Sequence, residues 1–397
     1  MMTPRTTNWT PSVKPDRKVA RRRSAPRAGT LIRAWAIIVL GIAASLGCQP
    51  PEPIRIGFVG GTSGRVADLG IAGRDAVLLA VELRNRAGGV AGRKVELLIR
   101  DDEQKPEIAQ RGVRELIDRG VVAIVGPMTS AMAIAVVPIA DEAKVLLMSP
   151  TATSDDLTGL DDYFFRVNAS TLDNASRIAR YHVGQNATRR LAATYDLRNK
   201  SYTESWLNSF RATYVRGGGE VVKVLGFEGG GETALLQVAQ DLLAAPADGV
   251  LIVANSVDTA LLCQQIRKLD RRAPIITSEW AATERLIELG GKAVEGVIVA
   301  QNFDRNSAEP RYRAFYQAYR DRFHREPGFG GVIAFDAANV VLDALAQRQA
   351  GRSVKETVLA MRRFEGVQEP IVFNEFGEMK RSLHITVVRD GQFVVVE

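Results

Sequence analysis

Short apolar runs alternate with amphipathic stretches along most of this chain. The first run, residues 54–59, is followed by a glycine-rich loop and by residues 72–86, whose apolar side chains recur at helical spacing. Apolar runs of about four to eight residues that are bounded by turn residues are typical of strands buried on both faces of a parallel sheet. The repeated alternation therefore predicts an α/β chain with doubly wound sheets.

The alternation occurs in two tandem blocks, which predicts two α/β units. In the first, the predicted strands are 54–59, 94–99, 121–125 and 145–148, and the predicted helices are 72–86, 109–118 and 131–140. In the second, the predicted strands are 191–195, 221–227, 250–254, 274–277 and 296–300, and the predicted helices are 174–183, 202–214, 234–243, 258–269 and 283–289. Residues 163–167, between the blocks, are interpreted as a connector. Helices at 311–325 and 334–346 and strands at 371–376 and 383–396, with a turn at Asp390-Gly391, complete the chain.

Two neighbouring predicted strands within residues 121–153 both end in turns that carry hydroxyl groups. Thr129 and Ser130 precede a predicted helix, and Thr151 and Thr153 follow the next strand. Ligands of open α/β sheets bind outside the carboxyl ends of the strands, and the N–H groups at a helix N-terminus favour an anion such as a carboxylate. For a single hydroxyl, helix capping is the more common explanation, whereas two successive turns fit a ligand site as well as they fit capping.

The positive charge of the chain is concentrated at its start. Residues 1–47 contain nine Lys or Arg and one acidic residue, a charge of +8, so the rest of the chain carries about −1 of the total of +7. A nearly neutral body gives no basis for nucleic-acid binding.

Residues 1–47 have the anatomy of an export signal. A basic region is followed by an apolar run of thirteen residues, 34–46, which is shorter than the roughly 20 residues of a membrane-spanning helix. The Gly-Cys ending resembles a bacterial lipoprotein signal, so Cys48 is the predicted lipidation site and residues 48–53 a tether. Arg21-Arg22-Arg23 leaves a twin-arginine route open. The other cysteine, Cys263, is predicted to be a buried structural thiol.

Motifs of catalysis and cofactor binding are missing from the sequence. The three histidines, His182, His324 and His384, are far apart and have no metal-ligand spacing. No nucleophile elbow, P-loop or dinucleotide fingerprint is present. We therefore predict that the protein is not an enzyme and that it uses no metal or cofactor. In the second block, Glu279 precedes Trp280 after a predicted strand, and a carboxylate beside an aromatic ring suits a ligand ammonium group.

Three stretches carry a resemblance to a known family. They are residues 85–97 (NRAGGVAGRKVEL) with Asp101-Asp102 after them, AIVGP at 123–127 and SPTAT at 149–153. In this order they resemble the periplasmic leucine/isoleucine/valine-binding protein family, the solute-binding components of ABC importers, over roughly residues 54–396. The resemblance implies a type I periplasmic binding protein, with two Rossmann-like doubly wound lobes joined by a three-strand hinge. The implied lobes are 54–167 with about 302–380, and 168–301 with about 381–397.

The resemblance also assigns site residues. It implies that Ser130, the Thr151 backbone and the Thr153 side chain hold a ligand carboxylate, and that Glu279 pairs with the ligand ammonium while Tyr202 lines the cleft. The sequence departs from the family pattern at Ser256, where a tyrosine is common, and at Leu69, where many relatives have an aromatic residue. We include Ser256 among the predicted ligand-binding residues. These departures leave the identity of the ligand side chain open.

The implied function is capture of an amino acid, branched-chain or related, between two closing lobes and its delivery to an ABC permease in the inner membrane. We expect a monomer in the periplasm, anchored through Cys48. The residues leave two alternative functions open. The protein could be a ligand sensor for a membrane receptor or regulator, or a binder of a carboxylate or amide that is not an amino acid.

Overall fold

The computed structural model describes residues 51–185 and 188–397 of the chain. The predicted export signal at 1–47 and the predicted lipidation site at Cys48 lie outside these residues, as does the first half of the predicted tether, residues 48–50.

The first sheet has five strands, all parallel, in the order β2-β1-β3-β4-β5. Its strands are β1 (Ile54–Gly60), β2 (Val95–Asp101), β3 (Ala123–Val125), β4 (Leu146–Ser149) and β5 (Phe164–Arg166). Ile56 and Phe58 of β1 are buried in one apolar cluster and Val59 in another. Burial on both faces explains why this strand is a continuous apolar run instead of an alternating one.

The second sheet has seven strands in the order β14-β13-β10-β9-β8-β6-β7. Its strands are β6 (Arg190–Asp196), β7 (Glu220–Phe227), β8 (Gly249–Val253), β9 (Ile275–Thr277), β10 (Ile298–Gln301), β13 (His384–Arg389) and β14 (Gln392–Val395). The last two are antiparallel and form a hairpin with Asp390-Gly391 at its turn, as predicted. A small separate hairpin joins β11 (Arg363–Glu365) to β12 (Pro370–Val372).

Helices connect and cover these strands. They are α1 (Ala67–Arg86), α2 (Pro106–Asp118), α3 (Ser130–Ala143), α4 (Thr171–Gln185), α5 (Lys200–Arg216), α6 (Glu232–Leu243), α7 (Ser256–Leu269), α8 (Glu284–Gly290), α9 (Pro310–Phe323), α10 (Gly328–Gln347) and α11 (Val354–Met361). In the described part of the chain, α10 alone is long and apolar enough to span a membrane, and 83% of its most apolar window is buried inside the protein. Its packing against α1 and the first sheet explains that composition.

Several local predictions were wrong. The strand predicted at 371–376 spans only Pro370–Val372. Residues 163–167 are not a plain connector, because Phe164–Arg166 pairs with β4 as a parallel strand. The helix predicted at 334–346 begins earlier, at Gly328, since glycines that usually interrupt helices here allow close packing: a Cβ at Gly330 would lie 2.7 Å from Leu69 Cδ1. Helix α11 was missed, although the capping box of Ser353 and Glu356 at its start is readable in the sequence.

Cys263 is buried in α7, which confirms its predicted structural role. Burial raises the pKa of its thiol to about 12, so the thiolate, the reactive form, is suppressed at neutral pH. Among the residues that the structure describes, no group of three or more His, Cys, Asp or Glu side chains could hold a metal ion.

The chain crosses between the two sheets after β5, after β10 and before β13. Arg381, on the third crossing, is buried and donates hydrogen bonds to the carbonyl oxygens of Val167 (3.1 Å) and Asn302 (2.9 Å), which lie on the first two. Its guanidinium also pairs with Asp336 of α10 at 2.7 Å. One side chain therefore joins all three crossings. The exact limits of the two lobes stay a prediction.

Candidate ligand-binding site

One cavity gathers most of the predicted site residues. It is lined by five of the six: Ser130, Thr151, Thr153, Tyr202 and Glu279. The cavity lies where β3 and β4 of the first sheet end and faces residues that follow β6 and β9 of the second.

The wall from the first sheet is built by Ser130, which is the first residue of α3. Its hydroxyl oxygen accepts hydrogen bonds from the backbone N–H groups of Thr153 and Ser154, each at 3.1 Å. The hydroxyl therefore caps no helix of its own but ties the turn after β3 to the turn after β4. A hydroxyl has two acceptor lone pairs and one proton. Because both lone pairs are occupied, Ser130 can only donate to a ligand.

On this wall the backbone N–H groups of Ser130 and Thr151 make no hydrogen bond with another described residue. The Thr151 hydroxyl is turned away from them and donates to the carbonyl oxygen of Met128 at 2.5 Å. The Thr171 hydroxyl donates to the carbonyl oxygen of Thr153 at 2.7 Å and lies 3.1 Å from the Thr153 hydroxyl oxygen. This wall thus offers hydrogen-bond donors at a helix N-terminus and no positively charged side chain, an arrangement that suits a carboxylate.

The opposite wall carries Glu279, whose side chain is almost fully buried, at 5% exposure. One carboxylate oxygen accepts from Trp206 Nε1 at 2.8 Å and the other from Asn174 Nδ2 at 3.4 Å. No Lys, Arg or His in the described part of the chain forms an ion pair with it. Burial raises the pKa of Glu279, because a carboxylate without a cation is costly in a low-dielectric site.

Aromatic rings surround this carboxylate. Tyr202 and Trp280 meet edge to face with their centroids 5.5 Å apart, and both line the cavity. The Tyr202 hydroxyl lies near Ser278 and Glu279, yet it makes no well-formed hydrogen bond with a described residue. Burial, and then the nearby Glu279 charge, raise the pKa of Tyr202, so its hydroxyl stays protonated. A carboxylate framed by aromatic rings is suited to a cation such as an ammonium group.

Ser256, the sixth predicted residue, does not line this cavity. Its hydroxyl donates to Asp68 of α1 at 2.6 Å, and Thr283 donates to the same carboxylate oxygen at 2.5 Å. These bonds belong to a seam of contacts between the two halves of the protein, in which Arg65 also pairs with Asp258 at 2.5 Å.

The sequence reasoning missed several residues that line the cavity. They are Met128, Thr129, Asn168, Asn199, Trp280, Asn302 and Phe329. Trp280 was noticed only as a neighbour of Glu279. Asn168 and Asn302 lie on crossings between the sheets, where no periodicity or motif marks a site. Leu69 is buried but does not reach this cavity.

The chain is similar to known proteins over most of its length. A model of the periplasmic binding protein family matches residues 53–392. The Leu/Ile/Val-binding protein homolog 3 of Brucella melitensis is 27% identical over 247 residues, which are 62% of this chain and 66% of that protein. The leucine-, isoleucine-, valine-, threonine-, and alanine-binding protein of Pseudomonas aeruginosa is 24% identical over 338 residues, which are 83% of this chain and 88% of that protein.

Solved structures share the fold. LivJ of Streptococcus pneumoniae, in complex with isoleucine, superposes on this chain with a TM-score of 0.79 at 24% sequence identity. The matched part is 87% of this chain and 99% of the LivJ chain. The leucine binding protein LivK of Thermotoga maritima gives a TM-score of 0.78 at 25% sequence identity. The matched part is 87% of this chain and 98% of the LivK chain. The predicted α/β fold with two lobes and the predicted family are confirmed, and the family confirms the prediction of a non-enzymatic protein. The chain belongs to the type I periplasmic binding proteins, in the leucine/isoleucine/valine-binding family of solute-binding proteins.

Proposed function

We propose that this protein captures an α-amino acid in the cavity between its two halves and delivers it to an ABC importer. The observation that carries the proposal is the buried carboxylate of Glu279, which has no cation partner in the described chain and faces a wall of hydrogen-bond donors at Ser130, Thr151 and Thr153. One wall fits an ammonium group and the other a carboxylate.

The charges of a zwitterion explain why both walls are needed. Removing either ligand charge from water is costly unless a partner pairs with it in the site. The amine supplies the cation that Glu279 lacks, and the ligand carboxylate accepts from the free N–H groups and hydroxyls. A ligand without one of these groups leaves one wall unpaired, so the site discriminates by head group.

The comparisons support the amino-acid class and the transport role. The similar proteins of Brucella melitensis and Pseudomonas aeruginosa are named for binding leucine, isoleucine and valine. One similar structure is described as an ABC transporter substrate-binding protein in complex with leucine. Another is described as a branched-chain amino acid transporter substrate-binding protein in complex with isoleucine. Because all residues of the cavity come from one chain, we propose that a monomer is sufficient for binding.

A ligand screen tests the proposal. We would measure thermal unfolding and calorimetric binding with the twenty amino acids, and with analogues that lack either the amine or the carboxylate. A bound amino acid at about 100 times its dissociation constant should stabilise the protein by about 2.7 kcal/mol. Equal binding of a carboxylic acid that has no amine would contradict the role of Glu279 and the amino-acid class together.

The pH dependence of binding should follow the raised pKa of Glu279. A protonated carboxyl cannot pair with an ammonium group, so affinity should fall as the pH decreases through that raised pKa. The ligand ammonium favours the ionised carboxylate, so binding in mildly acidic solution should release protons. Calorimetry from about pH 5 to about pH 8, in buffers of different ionisation enthalpy, would measure both effects. Circular dichroism at each pH checks that the protein remains folded, and an affinity independent of pH would contradict the prediction.

We also propose that the protein works outside the cytoplasmic membrane and is anchored there by a lipid on Cys48. The family supports a periplasmic location, and the sequence supports the anchor through its basic and apolar segments followed by Gly47-Cys48. Cys48→Ser should abolish incorporation of labelled fatty acid and move the protein from the membrane fraction to the released fraction. Identical fractionation of both proteins would contradict the anchor.

A further inference from the structure

Two buried asparagines line the floor of the cavity. Asn168 and Asn302 are 2% and 1% exposed and both line the cavity. Arg381 donates to the carbonyl oxygen of Val167, directly before Asn168, and to that of Asn302. One guanidinium therefore holds the backbone next to both asparagines.

The orientation of the Asn302 amide follows from a chain of hydrogen bonds that begins at Glu279. The carboxylate of Glu279 accepts from Nδ2 of Asn174, so the Oδ1 atom of Asn174 is left to accept. Nδ2 of Asn302 donates to that oxygen at 3.3 Å. The Oδ1 atom of Asn302 is thereby left as an acceptor, and it is buried without a hydrogen-bond partner in the described chain.

Asn168 presents the complementary group. Its Oδ1 atom accepts from the N–H of Ala169 at 2.9 Å. Its Nδ2 atom makes no hydrogen bond with a described residue, so it remains a donor. The lining of the cavity therefore holds one unused acceptor, on Asn302, and one unused donor, on Asn168. Buried polar groups in native proteins are almost always paired, so this floor is suited to a polar group of the ligand.

Resting on the proposed function, we infer that the bound amino acid carries a hydroxyl or primary amide in its side chain, which pairs with Asn302 and Asn168. Both groups donate and accept hydrogen bonds, as the floor requires. An aliphatic side chain of the same shape would cover the Asn302 oxygen and leave it unpaired. The inference therefore separates this protein from relatives that are named only for binding leucine, isoleucine and valine.

Pairs of amino acids with nearly the same shape provide the test on the unaltered protein. We would measure dissociation constants by calorimetry for threonine against valine and for asparagine against leucine. The polar member should bind at least about ten-fold more tightly in one or both pairs, because leaving a buried acceptor unpaired is costly. Binding of valine and leucine that is as tight as, or tighter than, that of their partners would overturn the inference and leave the proposed function intact. Absence of binding by every α-amino acid would overturn the proposed function itself.

Asn302→Leu tests the residue. This change also removes the donor to Asn174 and so weakens the head-group site, but that effect is common to every amino acid and cancels in the ratio within a pair. The ratio should fall to about one or reverse. An unchanged ratio would overturn the role of Asn302.

Asn306→Leu, the same substitution at an exposed position four residues further along, is the matched control and should leave the ratio unchanged. Thermal unfolding of each variant without ligand identifies a folding defect. If Asn302→Leu does not fold, the ratio in Asn168→Leu and the comparison on the unaltered protein decide the outcome.

Discussion

Replacing Glu279 by glutamine should weaken amino-acid binding by at least about a hundred-fold, because a buried charge that loses its partner is costly. Glutamine has the shape of glutamate and keeps an oxygen for Trp206, which donates to Glu279 at 2.8 Å. It cannot neutralise the ammonium group that the closed cavity would take out of water. The loss should therefore appear in the affinity and not in the fold.

The same substitution should not destabilise the unligated protein. The pKa of Glu279 is raised by burial, so at neutral pH the ionised carboxylate opposes folding, and this opposition fades as the pH falls through the raised pKa. Glutamine removes it, and the free energy of unfolding at neutral pH should be equal to or higher than that of the unaltered protein. A site that sacrifices stability for binding is a known compromise in proteins.

Calorimetric titration and urea unfolding of Glu279→Gln would measure the two effects. Glu288→Gln is the matched control, since Glu288 is exposed, at 59% of its side-chain surface, and pairs only with Arg285. It should change neither quantity. An affinity of Glu279→Gln equal to that of the unaltered protein would show that the ligand has no ammonium group at this wall.

The sequence predicted those parts of the structure whose signals are local. Apolar runs located β1, β3 and β4, and turn residues located Asp390-Gly391, because a buried strand and a tight turn are each determined by a few consecutive residues. The strand Phe164–Arg166 was missed because an arginine interrupts its pattern. Arg166 is tolerated there because it pairs with Glu378, which lies 212 positions later in the chain, and donates to the carbonyl oxygens of Thr153 and Ser154.

The candidate site also has parts that the sequence predicted and parts that it did not. The hydroxyl turns at Ser130 and Thr153 were found because both follow predicted strands. Their actual bonds, between the Ser130 hydroxyl and the backbone of the neighbouring turn, require the two strands to be adjacent and could not be read from spacing. Asn302 gave no signal at all, since its hydrogen bonds are with Asn174 and Arg381, which are distant in sequence. Residues that are placed in the cavity by tertiary contacts were the ones that the sequence did not predict.

The second large effect concerns the buried ion pair between Arg381 and Asp336, whose side chains are each 1% exposed. Arg381→Met should reduce the free energy of unfolding by about 3–5 kcal/mol, because the carboxylate of Asp336 would be left buried without its cation. The carbonyl oxygens of Val167 and Asn302 would lose their donor as well. Urea unfolding followed by circular dichroism gives the change.

A double-mutant cycle separates the stranded charge from the lost carbonyl bonds. Asp336→Asn added to Arg381→Met removes the unpaired charge, so the double variant should recover part of the stability that the single variant loses. Arg311→Met is the matched control, because Arg311 forms an exposed pair with Glu365, with side chains 60% and 58% exposed, and such pairs contribute about 0–1 kcal/mol. If Arg381→Met costs no more than Arg311→Met, the guanidinium does not hold the crossings together. If the cost is large and the double variant recovers none of it, the carbonyl bonds to the first two crossings carry the stability instead of the charge.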